Sequence, residues 1–110
     1  MLGTLGYSAP EQLNSAKRVD HRADIFSLAV VTYQVLSGQK PFDGKGITDV
    51  VAGIMSGEET PLNELAADVD FATSAIVARG MRKKPGDRYA SVSDFVRDYK
   101  EAVLALQTNP

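Results

Sequence analysis

The sequence contains no cysteine, no tryptophan and a single histidine, His21, among its 110 residues. Without cysteine the chain can form no disulfide, thiolate metal site or cysteine nucleophile, and one histidine excludes a multi-histidine metal site. No apolar run approaches the ~18 residues that a membrane-spanning helix needs, and the N-terminus lacks the basic-then-apolar pattern of a signal peptide. These absences predict a soluble chain, and we expect it in a reducing compartment, the cytoplasm.

Charge is nearly balanced along the chain. Twelve Lys and Arg residues stand against 14 Asp and Glu residues, for a formal net charge of -2. This balance gives no electrostatic reason to expect nucleic acid or an anionic membrane as a partner. The length suits one small domain or part of a larger one, and 44% hydrophobic residues are enough for a single core.

Two central segments have helical character. The stretch 23–36 is apolar at ten of its fourteen positions, which is typical of a buried helix, and Gly38 followed by Pro41 predicts its end. Its β-branched run at 30–32 would also fit a strand, but the length of the stretch favours a helix. The next segment forms one apolar stripe at i, i+3, i+4, i+7 and i+8, made of Ile47, Val50, Val51, Ile54 and Met55.

The remaining segments are also helical in pattern. A short helix is predicted to start at Pro10, with Ser8 and Glu11 spaced as a capping box. A helix over about 68–84 would end in three cations that complement its dipole, and its predicted inward face is Phe71, Ala72, Ala75, Ile76 and Ala78. The last helix begins at Ser91, and its apolar face is Val92, Phe95, Val96, Tyr99, Val103 and Leu106. No convincing strand remains, so the predicted fold class is all-α.

Several short stretches look like active-site motifs, but the spacing of their residues does not match those motifs. The stretch 43–46 lacks the third glycine of a dinucleotide-binding loop and the Gly-Lys-Ser/Thr of a Walker loop. The stretch 21–24 has one residue too many for an H-R-D motif, and His21 is predicted to be an exposed first-turn residue. The basic cluster within 79–88 has no interleaved aromatics, so most of it is predicted to be a solvated helix end. We therefore predict no catalytic residue, cofactor-binding residue or metal ligand in this chain.

Three blocks, in order, resemble the catalytic domain of bacterial-type Ser/Thr protein kinases. The first block, Gly3 to Glu11, ends in the A-P-E motif that closes a kinase activation segment. The second block, Asp20 to Phe42, is similar to the central buried helix of the family. The third block, Lys84 to Tyr89, is similar to the turn before the last helix of the family. The resemblance extends to about Leu104. It implies the helical part of the kinase C-lobe, with residues 1–107 as a partial kinase domain and 108–110 as a tail.

The resemblance also implies roles for single residues near the start of the chain. Thr4 would contact the aspartate of the catalytic loop and help to select a Ser/Thr acceptor. Leu5, Gly6 and Tyr7 would shape the pocket for the substrate residue that follows the phosphoacceptor. The Thr4–Tyr7 loop and the Ile47–Met55 helix would be the contact surfaces for protein substrates or regulators.

Three further residues are implied as structural anchors. Glu11 and Arg88 would form a buried ion pair that fixes the activation segment, and Asp24 would accept hydrogen bonds from backbone amides of the catalytic loop. For each of these three residues the sequence leaves a simpler local role open. Glu11 could belong to the capping box with Ser8, Arg88 could be a solvated turn residue, and Asp24 could stabilise the first turn of its own helix.

Two departures from the family pattern are visible. Ala29 stands where the family usually has glycine in the buried helix, which predicts wider packing or an altered neighbour. The chain also has no glycine-rich phosphate loop, strand lysine, H-R-D base or D-F-G aspartate, so ATP and magnesium would be bound in the parent kinase and not by this chain. We predict that this chain alone is inactive, and it could be an excised piece, a truncated gene product or half of a split domain.

The sequence is therefore compatible with two functions. The first is the C-lobe part of a Ser/Thr kinase, inactive alone, which docks substrates and whose partner is the missing N-terminal portion of the kinase. The second is a non-catalytic helical interaction module that binds protein partners or self-associates, since a buried helix that loses part of its cover exposes apolar area.

Overall fold

The computed structural model of the protein describes residues 5–14 and 19–108. Six α-helices lie wholly within this part of the chain, together with one 3₁₀ turn at Pro85–Asp87, and no strand occurs in it. The helices are α1 Pro10–Leu13, α2 Arg22–Ser37, α3 Ile47–Ser56, α4 Leu62–Leu65, α5 Phe71–Gly80 and α6 Val92–Thr108. The predicted all-α class is confirmed. Across the same residues, no helix combines the length and the apolarity needed to cross a membrane.

Helix α2 is the centre of the molecule. Ile25, Phe26, Ala29 and Val30 are fully buried in the core, as expected for a helix that is apolar around most of its circumference. The helix ends where Gly38 adopts a left-handed conformation, φ 75°, and donates its N–H to Gln34 O. The predicted bounds of 23–36 agree with the observed helix to within one residue at each end.

Helix α4 packs against α2, and α3 packs against α1 and against Phe42. Val50 and Ile54 of the predicted α3 stripe are buried, Val51 and Met55 are half-buried, and Ile47 at the start of the helix is exposed. Phe42 packs under α3 and stacks on the ring of Phe26, with centroids 6.1 Å apart, and Leu62 of α4 completes this part of the core.

Helix α5 turns a different face to the core from the one predicted. Phe71, Ala72 and Ala75 are exposed, Ile76 and Ala78 are half-buried, and the buried positions are Thr73, Ser74, Val77 and Gly80. The helix is also shorter than the predicted span of about 68–84. The physical reason is close packing: a Cβ added at Gly80 would lie only 2.7 Å from the Ala29 Cβ. Small side chains let α5 approach α2, and the larger apolar ones are left outside.

Helix α6 contacts α2 and α5 along one narrow strip of its surface. The Ser91 hydroxyl accepts the N–H of Asp94 at 3.1 Å and so caps the helix at the residue where it was predicted to begin. Of the predicted apolar face only Phe95 is buried; Tyr99 and Val103 are half-buried, and Val92, Val96 and Leu106 are exposed. The prediction was too broad because only the strip of α6 that faces α2 and α5 is covered.

Helix α1 is capped differently from the prediction. Pro10 is its first residue, as predicted, and Ala9 is its N-cap. The third helical position is then Gln12, whose side-chain oxygen accepts the N–H of Ala9 at 2.8 Å. The predicted capping box of Ser8 and Glu11 is therefore wrong, and the Glu11 carboxylate is free to make a long-range contact.

Candidate functional site

An ion pair between Glu11 and Arg88 joins two parts of the chain that are 77 positions apart in the sequence. Arg88 Nη1 lies 2.7 Å from Glu11 Oε2, and Arg88 Nη2 lies 2.8 Å from Glu11 Oε1. The Arg88 side chain has 0% of its surface exposed and that of Glu11 has 8%. Two parallel charge-assisted bonds from a planar guanidinium are the strong geometry for this pairing. The structure thus places together the two residues that the resemblance pairs, and the alternatives of a capping box and a solvated turn do not hold.

Arg88 is satisfied by backbone carbonyls as well as by Glu11. Nε donates to Arg82 O at 2.7 Å, Nη1 to Arg22 O at 2.9 Å and Nη2 to Lys83 O at 3.2 Å. Its guanidinium carbon lies 5.0 Å from the centroid of the Phe26 ring, at the core. One side chain therefore links α1, the start of α2 and the turn after α5.

The ion pair also determines the charge state of Glu11. Burial by itself raises the pKa of the Glu11 carboxyl, because it disfavours the charged form. The hydrogen bonds and positive charge of Arg88 outweigh burial and hold this pKa below its ordinary value. The carboxylate is consequently ionised and locked on its partner at neutral pH.

The turn that precedes α1 is bound to α2. The Tyr7 hydroxyl donates to Gln34 Oε1, and the Ser27 hydroxyl donates to the Tyr7 carbonyl. Ser8 N–H closes the turn on Leu5 O at 3.0 Å. Gly6 is buried, and Leu5 and Tyr7 are half-buried. The predicted substrate-binding residues that the structure describes thus form a short turn that lies against the middle of the central helix.

Thr4 lies outside the described residues. Asp24 is in the first turn of α2, where a negative charge is favourable near the helix N-terminus, and its side chain is exposed. Its predicted role as an anchor for backbone amides of a catalytic loop stays a prediction.

Sequence reasoning missed the role of Lys83. Its ammonium group donates to Gly53 O in the last turn of α3 at 2.9 Å and lies 4.0 Å from the centroid of the Phe42 ring. Burial lowers the pKa of Lys83, although the charge of Glu59 acts in the opposite direction. Within a run of three cations no sequence signal separates Lys83 from its neighbours, so it was assigned to a solvated helix end.

Other parts of the predicted basic cluster also pack. Helix α5 ends at Gly80, so residues 82–84 lie beyond it and do not complete its last turn. The guanidinium of Arg79 lies 4.2 Å from the centroid of the Tyr89 ring. His21 is exposed, as predicted, and its Nε2 lies 2.6 Å from Ala90 O. The contacts of Arg79 and His21 hold the connection between α5 and α6 in place. The prediction of a solvated helix end is wrong for Lys83.

The described residues contain no group of three or more His, Asp or Glu side chains placed to hold a metal ion. The site consists of a turn, Leu5 to Tyr7, that is fixed on α2 by hydrogen bonds and is followed by the buried ion pair of Glu11 and Arg88.

Comparison with known proteins gives protein kinases as relatives. A family model described as the protein kinase domain matches residues 1–99. The chain is 36% identical over 105 residues to the serine/threonine-protein kinase Pkn1 of Myxococcus xanthus, which covers 96% of this chain and 15% of Pkn1. It is 36% identical over 102 residues to the serine/threonine-protein kinase PknH of Mycobacterium bovis, which covers 93% of this chain and 17% of PknH. It is 39% identical over 93 residues to the tyrosine-protein kinase MasK of Myxococcus xanthus, which covers 84% of this chain and 14% of MasK.

A solved structure has the same fold. The twitchin kinase region from C. elegans superposes with a TM-score of 0.77 at 20% identity, over 89% of this chain and 17% of that chain. This likeness concerns the fold, because fold alone does not carry function. The chain spans about a sixth of the length of the curated relatives Pkn1 and PknH.

The family match extends over nearly the whole chain, and it agrees with the three sequence blocks and with the ion pair that the resemblance implied. The predicted resemblance to bacterial Ser/Thr protein kinases is thereby confirmed. This chain belongs to the protein kinase domain family, and it corresponds to the helical part of the C-lobe.

Proposed function

We propose that this chain is the substrate-docking part of a Ser/Thr protein kinase domain and that it does not transfer phosphate by itself. In the whole domain the reaction would be transfer of the γ-phosphate of ATP to a protein Ser or Thr, with magnesium. Thr4 would help to select the acceptor hydroxyl, and the turn from Leu5 to Tyr7 would hold the substrate residue that follows it.

The observation that carries this proposal is the buried pair of Glu11 and Arg88. Three residues separate Tyr7 from Glu11, so the pair fixes the turn in place from one side while Gln34 and Ser27 hold it from the other. A docking surface needs such rigidity, because misplacement of a substrate by ~1 Å can reduce a rate about a hundredfold.

The proposed inactivity of the chain alone follows from what phosphoryl transfer requires. Catalysis of this reaction is mostly positioning and electrostatic stabilisation of ATP, metal and acceptor together. The sequence has none of the glycine-rich loop, the strand lysine, the H-R-D base or the D-F-G aspartate that do this in kinases. ATP and magnesium would be bound by parts of a kinase domain that this chain does not contain, and we assign no step of the transfer to its residues.

The test has two measurements on the purified chain. The first incubates it with magnesium and radiolabelled ATP in the presence of a general Ser/Thr protein substrate, with Pkn1 as the active control. We expect no incorporation of label above a reaction without the chain. The second is a ¹⁵N NMR titration with Ser-containing peptides, in which amide shifts should cluster at Leu5 to Tyr7. Phosphate transfer by the chain, or peptides that leave those amides unmoved, would contradict the proposal.

A contact surface on α3 is part of the same proposal. Ile47, at the start of this helix, is 61% exposed although it belongs to the apolar stripe. We assign this side of α3 to contacts with protein substrates or regulators. Ile47→Lys should weaken such contacts without unfolding the chain, because the side chain is outside the core.

The second candidate function, a self-associating helical module, is favoured by one observation. Val35 on α2 is 76% exposed and Phe71 on α5 is 77% exposed, which is unusual for side chains of this size and apolarity. Burial of such groups in an oligomer would be favourable. Sedimentation equilibrium tests this candidate, and a monomer throughout the concentration range would count against it.

A further inference from the structure

Lys40 lies beside the docking turn without belonging to it. It follows the end of α2, and its ammonium nitrogen is 5.7 Å from the centroid of the Tyr7 ring. The Tyr7 ring itself cannot move freely, since its hydroxyl is bound to Gln34 and its carbonyl accepts the Ser27 hydroxyl. Lys40 therefore places a positive charge beside a fixed ring, next to the surface on which a substrate would lie.

The charge of Lys40 has no counter-ion among the described residues. The ion pairs of this part of the chain involve other cations: Arg22, Arg88 and Arg97. The polar group that meets the Tyr7 hydroxyl is the neutral amide of Gln34, which adds no negative charge nearby. A cation at 5.7 Å is near the outer limit of a useful contact with a ring, so packing on Tyr7 alone leaves most of its binding capacity unused.

We infer that Lys40 is a specificity-determining residue that selects substrates with an acidic side chain close to the phosphoacceptor; this inference rests on the proposed function of the docking turn. A substrate carboxylate within about 4 Å of the Lys40 ammonium would form an ion pair at a half-buried surface. An extended peptide advances about 3.3 Å per residue. The selected Asp or Glu should therefore lie within about three residues of the substrate residue that contacts Tyr7.

The experiment is a ¹⁵N NMR titration of the full 110-residue chain. The probes are alanine-based peptides with one central serine, in which a single Asp, or a single Lys in the matched set, is placed at each position in turn. At low salt, Asp at one position or two adjacent positions should tighten binding about two- to fivefold relative to alanine, because a partly exposed ion pair is worth that much. Lys at the same positions should weaken binding, and added salt should reduce both effects.

Variants separate the role of Lys40 from general charge. Lys40→Gln should abolish the preference for Asp, and Lys40→Glu should reverse it in favour of Lys. Lys45 is exposed and five residues further on, so Lys45→Glu is the matched control and should keep the preference of the parent chain. The NMR spectrum of each variant reports in the same experiment whether it is folded.

The outcomes distinguish this inference from the proposed function. Peptides that bind at the docking turn without any dependence on Asp position, or a loss of preference in Lys45→Glu equal to that in Lys40→Glu, would overturn the role of Lys40 and leave the docking function standing. If no peptide, including the alanine parent, moves the amides of Leu5 to Tyr7, both the docking function and the role of Lys40 are overturned.

Discussion

Gly80 of α5 faces the methyl group of Ala29 on α2, and a Cβ built at position 80 would lie 2.7 Å from the Ala29 Cβ. The methyl group of Ala29 therefore fits against α5 because the residue opposite it has no side chain. The predicted choice between wider packing and an altered neighbour at Ala29 stays a prediction. Helices α2 and α5 depend on this close approach.

Gly80→Ala should destabilise the chain in spite of its better helix propensity. Overpacking in a core costs about 1–3 kcal/mol, whereas replacing glycine by alanine in a helix gains up to about 1 kcal/mol. A double-mutant cycle with Ala29→Gly, measured by urea unfolding, should give a favourable coupling of about 1 kcal/mol or more. Strict additivity of the two substitutions would contradict the contact.

Gly53→Ala is the matched control for that experiment. Gly53 is also inside a helix, but a Cβ there would meet Phe42 at 3.5 Å, an ordinary contact distance. This substitution should leave the free energy of unfolding unchanged or raise it by up to about 1 kcal/mol.

Loss of the ion pair should be the most costly polar substitution in the chain. Glu11→Gln keeps the shape of the side chain but leaves the Arg88 guanidinium buried without its counter-ion, and we expect a loss of about 3–5 kcal/mol in the free energy of unfolding. Arg88→Lys should lose nearly as much, because an ammonium cannot make the bidentate contact. A change below ~1 kcal/mol in both variants would show that the pair is not formed in solution. Lys84→Gln, at an exposed neighbouring position, is the control.

The same pair predicts a pH dependence with a definite sign. The folded pKa of Glu11 is held below its unfolded value, so its contribution to stability is fully present above the ordinary pKa of 4.5 and is lost as the pH falls through the folded pKa. Burial raises the pKa of Glu59, which acts in the opposite direction. The measurement is therefore the difference in unfolding free energy between the parent chain and Glu11→Gln. This difference should shrink steadily below about pH 4.5, and a difference that is independent of pH would contradict the prediction.

Lys83→Met should loosen α3 in particular. The substitution keeps the apolar stem but removes the hydrogen bond to Gly53 O and the cation over the Phe42 ring. We expect a loss of about 1–2 kcal/mol, from one charge-assisted hydrogen bond and one partly buried cation–π contact. Amide hydrogen exchange should show reduced protection in α3, and little change in α6. Equal loss of protection in both helices would mean that Lys83 supports the whole fold and not this one contact.

The long helices could be predicted well because their hydrophobic patterns are decisive. Because ten of its fourteen positions are apolar, α2 is identified as a buried helix without knowledge of the rest of the fold. Gly38 marks the C-terminal end of this helix. The stripe of α3 was predicted for the same reason. The pairing of Glu11 with Arg88 came from the resemblance, since no local pattern links two residues 77 positions apart.

The inward face of α5 could not be predicted from hydrophobicity. Its buried positions include Thr73, Ser74 and Gly80, while Phe71 points outward. Here the distance of closest approach to α2 decides the orientation, and that distance is a property of two helices together. The contact of Lys83 is hidden for a similar reason, because it depends on where the end of α3 lies.

Arg88 binds three segments that lie far apart in the sequence, and this has a consequence for local opening. The stretch from Leu5 to Pro10 is held by the contacts of Tyr7 with α2 at one end and by Glu11 at the other. Release of this stretch together with Glu11 would leave the buried guanidinium of Arg88 without its counter-ion, which is costly. The N-terminal stretch should therefore open together with the helical body and not by fraying on its own.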